Sequence, residues 1–289
     1  MIWALLLLLF CSSPCLGQDY SKLRVIAFGA HPDDCDIDAG GLAAKYAKAG
    51  HLVKFVSVTN GDAGHQEQGG GMLAARRRGE AREAGRRIGI EYEVLDHHDG
   101  ELMPALEVRK EIIRLIRQWK ADIVLAPRSN DYHPDHRYTG ILVQDAAYMV
   151  TVPNLVPDTE SLRTNPVFLY FADSFQRPAP FRPDIVVSID DVLDLKYQML
   201  DAHVSQVYEW LPWHDGKLSL VPKDPAARKA WLKEVRKFEV PADWKEVLSR
   251  LYASKVSEVL SAEAFEIAEY GRRPSEQEIR KLFPFFSGK

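Results

Sequence analysis

Residues 23–34 of this chain read LRVIAFGAHPDD. The apolar run stops at Gly29, a pattern typical of a short buried β-strand over 23–28. Three side chains that can bind metals or protons, His31, Asp33 and Asp34, follow the strand at once. Because parallel sheets bind their ligands beyond the carboxyl ends of the strands, these residues predict both the first strand and the place of the chemistry.

Strand and helix patterns alternate after this stretch. Further buried-strand patterns lie at 52–58, 92–95, 123–126, 168–171 and 185–189, and helical patterns lie at 42–48, 72–88, 105–120 and 192–203. Such alternation predicts an α/β fold, with a parallel sheet that carries helices on both faces. We expect a core over 18–210 and a mostly helical C-terminal extension over 211–289, packed on that core.

The composition is that of a soluble globular protein. The chain has 289 residues, of which 46% are hydrophobic and 27% charged, and these values exclude a mainly disordered chain and a multi-span membrane protein. With 37 Lys and Arg residues against 41 Asp and Glu residues, the net charge is −4. General nucleic-acid binding needs a basic surface, so we expect no nucleic-acid partner. The three cysteines are too few for a disulfide scaffold.

Residues 1–17 have the pattern of a secretory signal peptide. The apolar run IWALLLLLF, residues 2–10, is too short to span a bilayer, which takes about 20 apolar residues. Small residues at Cys15 and Gly17 would permit cleavage before Gln18. We therefore expect an exported protein, periplasmic or extracellular, with no stable membrane span and with Cys35 as its only cysteine. Since no Lys or Arg precedes the apolar run, a buried N-terminal strand is the alternative.

A second loop repeats the chemistry of the first. Residues 130–136, NDYHPDH, follow the predicted strand at 123–126, just as His31 and Asp34 follow the first strand. Each loop sets His and Asp around a proline, which restricts the local backbone. Parallel strands bring their carboxyl ends to one edge of the sheet, so the two loops should meet although they lie far apart in the chain. Two such loops in one chain favour a functional site over ordinary polar loops.

The residue types point to a metal-dependent hydrolase. Catalytic zinc takes three protein ligands, from histidine and carboxylate, and keeps one position for water. His31 and Asp34 can supply two ligands from the first loop, and His136 the third. A set of two histidines and one carboxylate also suits Fe²⁺, so the predicted cofactor is Zn²⁺, with Fe²⁺ as the alternative.

Three further residues of these loops are candidates for proton transfer. Asp33 lies between two predicted ligands, cannot easily reach the same ion, and is free to accept a proton from the attacking water. His133 can stabilise an oxyanion or give a proton to a leaving amine. Asp135 would orient His133 and keep it charged. The predicted catalytic residues are thus Asp33, His133 and Asp135.

The same residues resemble the LmbE/PIG-L-like family of metal-dependent N-acetylglucosaminyl deacetylases. Ala30-His-Pro-Asp-Asp34 with Gly40-Gly41 is similar to the first motif of the family, and His133-Pro-Asp-His136 to the second. Further features occur in the family order: Thr59-Asn-Gly-Asp62, Arg77-x-x-Glu80, Asp99-Gly100, Lys196 and His203-x-Ser205-Gln206. The resemblance covers roughly residues 23–206.

The resemblance implies a Rossmann-like fold without a nucleotide, and a zinc ion on the three predicted ligands. It also implies that Asp33 is the base, that His133 is the electrophilic or acid partner, and that the substrate hydroxyls are contacted by Asp99 and Arg77. One position departs from the family pattern, because Cys35 stands where the family often has Glu. We expect Cys35 to be a small buried residue, with a fourth ligand or an oxidation-sensitive thiol as the alternatives.

We therefore expect zinc-dependent hydrolysis of an amide C–N bond, with removal of acetyl from an N-acetylglucosamine-type sugar or glycoconjugate. An amidase on another N-acyl group or a thiol conjugate is the first alternative, because both share the metal core. The second is a non-catalytic sugar-binding protein with a structural metal, which would not need Asp33 and His133. A nucleotide-binding domain is disfavoured, because Gly29-x-His31 replaces the glycine-rich phosphate loop. The sequence makes no prediction of the oligomeric state.

Two tryptophans, Trp210 and Trp213, follow the last motif. Tryptophan is more often a core residue than a sugar platform, so we expect both rings to pack in the core. An exposed ring at either position would instead suit stacking on a sugar.

Overall fold

The computed structural model describes residues 22–286, with the backbone alone at 253–255. The predicted signal peptide, 1–17, lies outside the described residues. Within them, a seven-stranded sheet carries helices on both faces, so the predicted α/β class is confirmed. No helix in this part of the chain is long and apolar enough to cross a membrane.

The sheet is mostly parallel. Its strands are β1 (Arg24–Gly29), β2 (Leu52–Thr59), β3 (Glu91–His97), β4 (Ile123–Ala126), β5 (Val167–Phe171), β6 (Ile185–Ser188) and β7 (Ala262–Ile267). They lie in the order β3-β2-β1-β4-β5-β7-β6. β1 to β5 pair in parallel, and β7 is antiparallel to both β5 and β6.

The strand order changes direction between β1 and β4. The chain moves outward from β1 to β2 and β3, and then crosses back to β4 and β5 on the other side. In a sheet of this order, a crevice opens between the carboxyl ends of the two strands at the reversal, and ligands bind there. The loops after Gly29 and Ala126 border this crevice.

Helices cover both faces of the sheet. They are α1 (Asp34–Lys48), α2 (Gly70–Ile88), α3 (Leu106–Trp119), α4 (Pro134–Met149), α5 (Leu193–Ala202), α6 (Leu211–His214), α7 (Pro225–Val235), α8 (Lys245–Tyr252) and α9 (Glu276–Leu282). α1, α2 and α5 pack together on one face, and α3 packs against α4 on the other. A π-helical turn, Ser205–Trp210, follows α5 and leads directly into α6.

The central strand β1 belongs to both halves of the core. Val25 and Ala27 join the apolar cluster on the side of α1, whereas Ile26 and Phe28 join the cluster on the side of α3 and α4. None of the four is more than 2% exposed. The run that predicts this strand is therefore continuously apolar because both faces of the strand are buried.

β7 lies inside the segment expected to be mostly helical and is not predicted from the sequence. Its residues, AEAFEI, are rich in Ala and Glu, which favour a helix. Strand pairing overrides this preference, because β7 fills the space between β5 and β6 and its first four residues are buried. The sheet therefore includes chain from both expected parts, 18–210 and 211–289.

Helices α1 and α4 begin directly at the two polar loops. α1 starts earlier than predicted, at Asp34, because acidic side chains in its first turn interact favourably with the helix dipole. α4 is not predicted from the sequence, since its first half is polar and contains Gly140. It starts at Pro134, a residue favoured at the first helical position. Consequently Asp34 and His136 are each held in the first turn of a helix.

A buried ion pair joins the C-terminal segment to α1. Lys196, from α5, and Glu263, from β7, are 0% and 4% exposed, and Lys196 Nζ lies 2.6 Å from Glu263 Oε1. The Glu263 carboxylate also accepts hydrogen bonds from the backbone N–H groups of Gly41 and Leu42, each at 2.7 Å. Lys196 donates to the backbone carbonyl of Ile37 at 2.6 Å. Since both charges have further polar partners, the pair links α1, α5 and β7.

Gly140 packs α4 against the loop that follows β4. A Cβ atom there would lie 2.6 Å from the carbonyl oxygen of Pro127 and 2.8 Å from that of Arg128. We expect Gly140→Ala to lower the free energy of unfolding by about 1–3 kcal/mol, because these backbone atoms cannot rotate away from a new methyl group. Chemical denaturation of the purified variant measures this change.

The matched control is Gly79, in α2, where a Cβ atom would meet nothing within 4 Å. Gly79→Ala should be neutral or should stabilise the protein by about 0.5–1 kcal/mol, since alanine favours a helix over glycine. A Gly140→Ala protein as stable as the Gly79→Ala protein would contradict this close packing.

Candidate active site

The two polar loops meet at the carboxyl ends of β1 and β4. His31 Nδ1 lies 3.2 Å from His136 Nε2, and Asp34 Oδ2 lies 3.5 Å from each of these two nitrogens. The three predicted ligands thus form a nearly equilateral triangle of donor atoms. Their side chains are between 11% and 17% exposed, so the triangle is largely shielded from solvent.

The triangle has the dimensions of a tetrahedral metal site. Bonds of about 2.0–2.1 Å to zinc place neighbouring ligand atoms about 3.3 Å apart. The observed separations of 3.2 and 3.5 Å bracket that value, and two imidazoles with one carboxylate suit Zn²⁺ and Fe²⁺ alike. The residues therefore fit a divalent metal ion. His31 also belongs to two other groups of three potential ligands. One contains His133 and His136, and the other contains Asp99 and Asp135.

A carboxylate lies close to the second nitrogen of each imidazole in the triangle. His31 Nε2 lies 3.0 Å from Asp99 Oδ1, and His136 Nδ1 lies 3.1 Å from Asp131 Oδ1. Carboxylates near the second nitrogen are typical of histidines that bind metals, although His31 Nε2 makes no hydrogen bond within the described residues. Asp131 is not among the predicted site residues, although it lies in the second loop. The only feature of the sequence that points to Asp131 is its position between the predicted strand and the two histidines of the second loop.

Opposite charges surround each member of the triangle. Burial alone would lower the pKa of His31, but the carboxylates of Asp135, Asp34 and Asp99 raise it well above its usual value. Burial alone would raise the pKa of Asp34, but the imidazoles of His136 and His31 lower it below its usual value. The arrangement therefore favours an ionised carboxylate beside a cation.

A buried arginine places Asp33 beside the triangle. Arg77 Nη2 lies 3.0 Å from Asp33 Oδ1, and the two side chains are 2% and 7% exposed. Arg77 Nη1 donates to the carbonyl oxygen of Gly61 at 3.1 Å and lies 3.6 Å from Asp99 Oδ2. Arg77 and Asp99, the predicted substrate-binding residues, thus contact each other and line the cleft that the substrate would enter. Within residues 22–286, Asp33 Oδ2 has no hydrogen-bond partner and is open to a proton.

His133 lines the same cleft as a neutral hydrogen-bond donor. Its Nδ1 accepts a hydrogen bond from the backbone N–H of Asp135 at 3.2 Å. Burial and the neighbouring imidazoles of His31 and His136 lower the pKa of His133. A neutral ring whose Nδ1 accepts carries its proton on Nε2, so we assign the donor to that nitrogen.

Asp135 makes different contacts from those expected. Its carboxylate accepts hydrogen bonds from the backbone N–H groups of Gly100 at 2.7 Å and Leu102 at 3.3 Å, and it lies 3.5 Å from His31 Nε2. In the described part of the chain, no hydrogen bond joins this carboxylate to His133. The Asp135 side chain thus holds the loop after β3 against His31, and its predicted role toward His133 stays a prediction.

Aromatic residues border one side of the cleft, which has a volume of about 850 Å³. Tyr132 is 74% exposed, and the centroid of its ring lies 5.5 Å from that of His136. Phe175 follows β5, and its ring centroid lies 6.4 Å from that of Tyr132. These two rings therefore form a wall on the side of β4 and β5.

The π-helical turn forms the other side, next to the loop after β2. Gln206 donates a hydrogen bond to the carbonyl oxygen of Gly64 at 3.0 Å, which ties the turn to that loop. Gln206 and Trp210 both line the cleft. Trp213 stacks behind Trp210 with ring centroids 5.3 Å apart and an angle of 19° between the planes. Contrary to the expectation for both tryptophans, neither is a core residue, and Trp213 is 47% exposed.

Cys35 and Asp38 are two further ionisable residues of α1 that follow Asp34. Asp38 lines the cleft one turn after Asp34, and burial together with that neighbouring carboxylate raises the pKa of Asp38 to about 8. The spacing of four residues on a helix is the signal by which the sequence could have shown this residue. Cys35 is 1% exposed and packs in the apolar cluster beneath α1, as expected for a small buried residue.

Known proteins are similar to this chain in sequence and in fold. The family model described as PIG-L, GlcNAc-PI de-N-acetylase, matches residues 26–147. The diacetylchitobiose deacetylase of Thermococcus kodakarensis is 32% identical, over 66% of this chain and 73% of that protein. The 4-oxalmesaconate hydratase of Pseudomonas putida is 25% identical, over 69% of this chain and 82% of that protein.

A solved structure extends the similarity to the whole fold. The N,N′-diacetylchitobiose deacetylase of Pyrococcus horikoshii, complexed with its inhibitor MPG, matches with a TM-score of 0.63 and 26% identity. The match covers 85% of this chain and 84% of that chain. The family that the sequence motifs resemble is thereby confirmed, and the chain belongs to the PIG-L family of de-N-acetylases, which are hydrolases of carbon–nitrogen bonds.

Proposed function

We propose that this protein is a metal-dependent N-deacetylase that hydrolyses the acetamide of an N-acetylglucosamine-type sugar or glycoconjugate. The observation that carries the proposal is the triangle of His31, Asp34 and His136, with Asp33 and His133 lining the same cleft. Two relatives named as diacetylchitobiose deacetylases support the class of substrate.

His31, Asp34 and His136 would hold the metal ion, for which we propose Zn²⁺, with Fe²⁺ as the alternative. A divalent ion in that position supplies Lewis acidity toward a carbonyl oxygen and lowers the pKa of water. The proton transfers and the orientation of the substrate are left to the other side chains of the cleft.

Asp33 is the proposed general base. Arg77 holds one oxygen of its carboxylate, so the other oxygen can accept the proton of the attacking water without reorientation of the side chain. Water adds to the amide carbonyl, the C–N bond breaks, and protonated Asp33 returns the proton to the leaving amine. The immediate products are acetic acid and the free amino sugar, and transfer of the acid proton to the amine gives acetate and the protonated amino sugar, so atoms and charges balance.

His133 is the proposed partner of the carbonyl oxygen. Its lowered pKa keeps the ring neutral near pH 7, and its Nε2–H can donate to the oxygen on which negative charge develops. A fixed donor of this kind stabilises the transition state more than the ground state.

Two variants separate the ligand triangle from the base. His136→Ala removes one corner of the triangle, so it should lose both the bound metal and the activity. Asp33→Asn leaves the triangle intact, so it should keep the metal and lose activity by about 10²- to 10⁴-fold. Metal analysis of the purified proteins and acetate release from N-acetylated sugars measure the two effects, with chelation and restoration by Zn²⁺ as the control.

The outcomes also separate the alternatives. Stoichiometric metal in His136→Ala would contradict the ligand set, and wild-type rates in Asp33→Asn would contradict the base. Bound metal in the wild-type protein without release from any sugar would favour an amidase of another N-acyl or thiol-conjugate substrate, or a sugar-binding protein.

Trp210 is the proposed platform for a sugar ring. Its half-buried position in the cleft, and the support of Trp213 behind it, offer a fixed aromatic face to the C–H side of a pyranose. We expect Trp210→Ala to raise KM roughly five- to thirtyfold, as a loss of about 1–2 kcal/mol would do, with a smaller change in kcat. Trp213→Ala is the matched control, because that ring does not line the cleft. Equal effects of both substitutions on KM would show that packing of the pair matters rather than stacking on the sugar.

We also propose that the protein is exported, because of the pattern in residues 1–17. Cleavage after Gly17 should leave Gln18 as the first residue of the mature protein. Mass spectrometry of the N-terminal peptide of protein isolated from its native cells measures this, and a mature protein that still begins at Met1 would contradict the proposal.

A further inference from the structure

One arginine that lines the cleft has no part in the reaction proposed above. Arg236 follows α7, is half-buried, and lines both the cleft and a second cavity of about 330 Å³. Leu211, at the start of α6, also lines both spaces. The second cavity therefore adjoins the cleft, and Arg236 lies between the two spaces.

The guanidinium of Arg236 has no protein partner. Within residues 22–286 no hydrogen bond, ion pair or aromatic ring engages it. The other arginines of this range whose guanidinium groups lack a partner are Arg82, Arg163, Arg177 and Arg182, and all four are exposed to solvent. A guanidinium that is partly removed from water without a partner loses hydration, and no hydrogen bond to the protein replaces it. Its position therefore favours the binding of a ligand.

The backbone of Arg236 is fixed on both sides. Its N–H donates to the carbonyl oxygen of Leu232 at 3.0 Å, and its own carbonyl oxygen accepts a hydrogen bond from the Tyr197 hydroxyl at 2.7 Å. Leu232 is 1% exposed, so this anchor belongs to the core. The side chain therefore extends toward the two spaces from a rigid point.

Within the second cavity, the positive charge of Arg236 is not compensated by a neighbouring carboxylate. Asp215 and Lys217, the other charged residues of the second cavity, lie 3.6 Å apart and balance each other. The remaining residues that line this cavity are apolar, and they weaken the screening of the charge: Val207, Leu211, Pro212, Trp231, Leu232 and Val235.

We propose that Arg236 determines specificity by binding an oxyanion of the substrate, a phosphate or a carboxylate carried beyond the sugar whose acetamide reacts. A guanidinium presents paired N–H donors that match such groups, whereas a neutral sugar would leave the charge unpaired. The inference rests on the proposed deacetylase function and adds to it an acidic class of substrate.

The test compares anionic and neutral sugars in the metal-loaded protein. Calorimetry with glucosamine 1-phosphate, muramic acid and methyl glucosaminide measures binding without turnover, because none of these carries an acetyl group. Acetate release from the corresponding N-acetylated sugars measures kcat/KM. Arg236→Gln should weaken the phosphate and carboxylate probes about ten- to a hundredfold and change the neutral probe less than about twofold. Arg236→Lys should retain part of the preference, since it keeps the charge and loses the paired donors.

Arg163→Gln is the matched control, because Arg163 is exposed and does not line the cleft. It should leave the affinity for all three probes unchanged. Selective weakening of one anionic probe alone by Arg236→Gln would identify whether phosphate or carboxylate is the group recognised.

Two results would overturn the inference. One is unchanged affinity for both anionic probes in Arg236→Gln, as expected if the phosphate binds at the metal cluster instead. The other is an equal loss of affinity for the neutral probe. If Arg236→Gln selectively weakens the anionic probes but no acetylated sugar releases acetate, the anion site stands and the deacetylase proposal fails. If the sugars are deacetylated without a contribution from Arg236, the deacetylase stands and the anion site fails.

Discussion

The buried contact between Lys196 and Glu263 supports the whole site. Two charges can be removed from water together only when each has further polar partners. Here those partners are backbone groups of α1, at Ile37, Gly41 and Leu42. The helix that begins at Asp34, a proposed metal ligand, is thus anchored by segments from much later in the chain. Because α5 also leads into the π-helical turn, the same contact positions one side of the cleft.

Fold alone does not decide the chemistry of this protein. A hydratase of Pseudomonas putida is 25% identical over 82% of its own length, and one fold supports many reactions. The chemistry of the site therefore depends on how its charges are paired. His31 lies between two carboxylates, Asp34 near Nδ1 and Asp99 at Nε2, and Arg77 contacts both Asp33 and Asp99. Since these groups share partners, a change at one of them alters the positions and charges of the others.

The part of this site that depends on strand topology can be predicted from the sequence. A run that is apolar on both faces predicts a central parallel strand, and parallel strands bring His31 and His136 to one edge of the sheet. Spacing does not give the direction of a side chain, so the contacts of Asp99 and Asp131 with these imidazoles could not be predicted. A π-helical turn contains one residue more than an α-helical turn. Trp210 therefore lies on a different face from the one that a regular α-helix would give it. β7 could not be predicted because its Ala- and Glu-rich composition favours a helix. Its strand form depends on neighbours that are distant in the chain.

β7 is the last of the described strands to be synthesised. β6 is an edge strand that pairs with β7, so residues 185–188 cannot join the sheet until residues 262–267 have been synthesised. β1 to β5 can pair with one another as soon as they emerge, whereas the edge of β5 stays open during the synthesis of the next ninety or so residues. Such an open edge is a template for pairing with other chains. A nascent chain interrupted before β7 would therefore lack the contact of Glu263 with α1 and would expose an edge that is prone to aggregation.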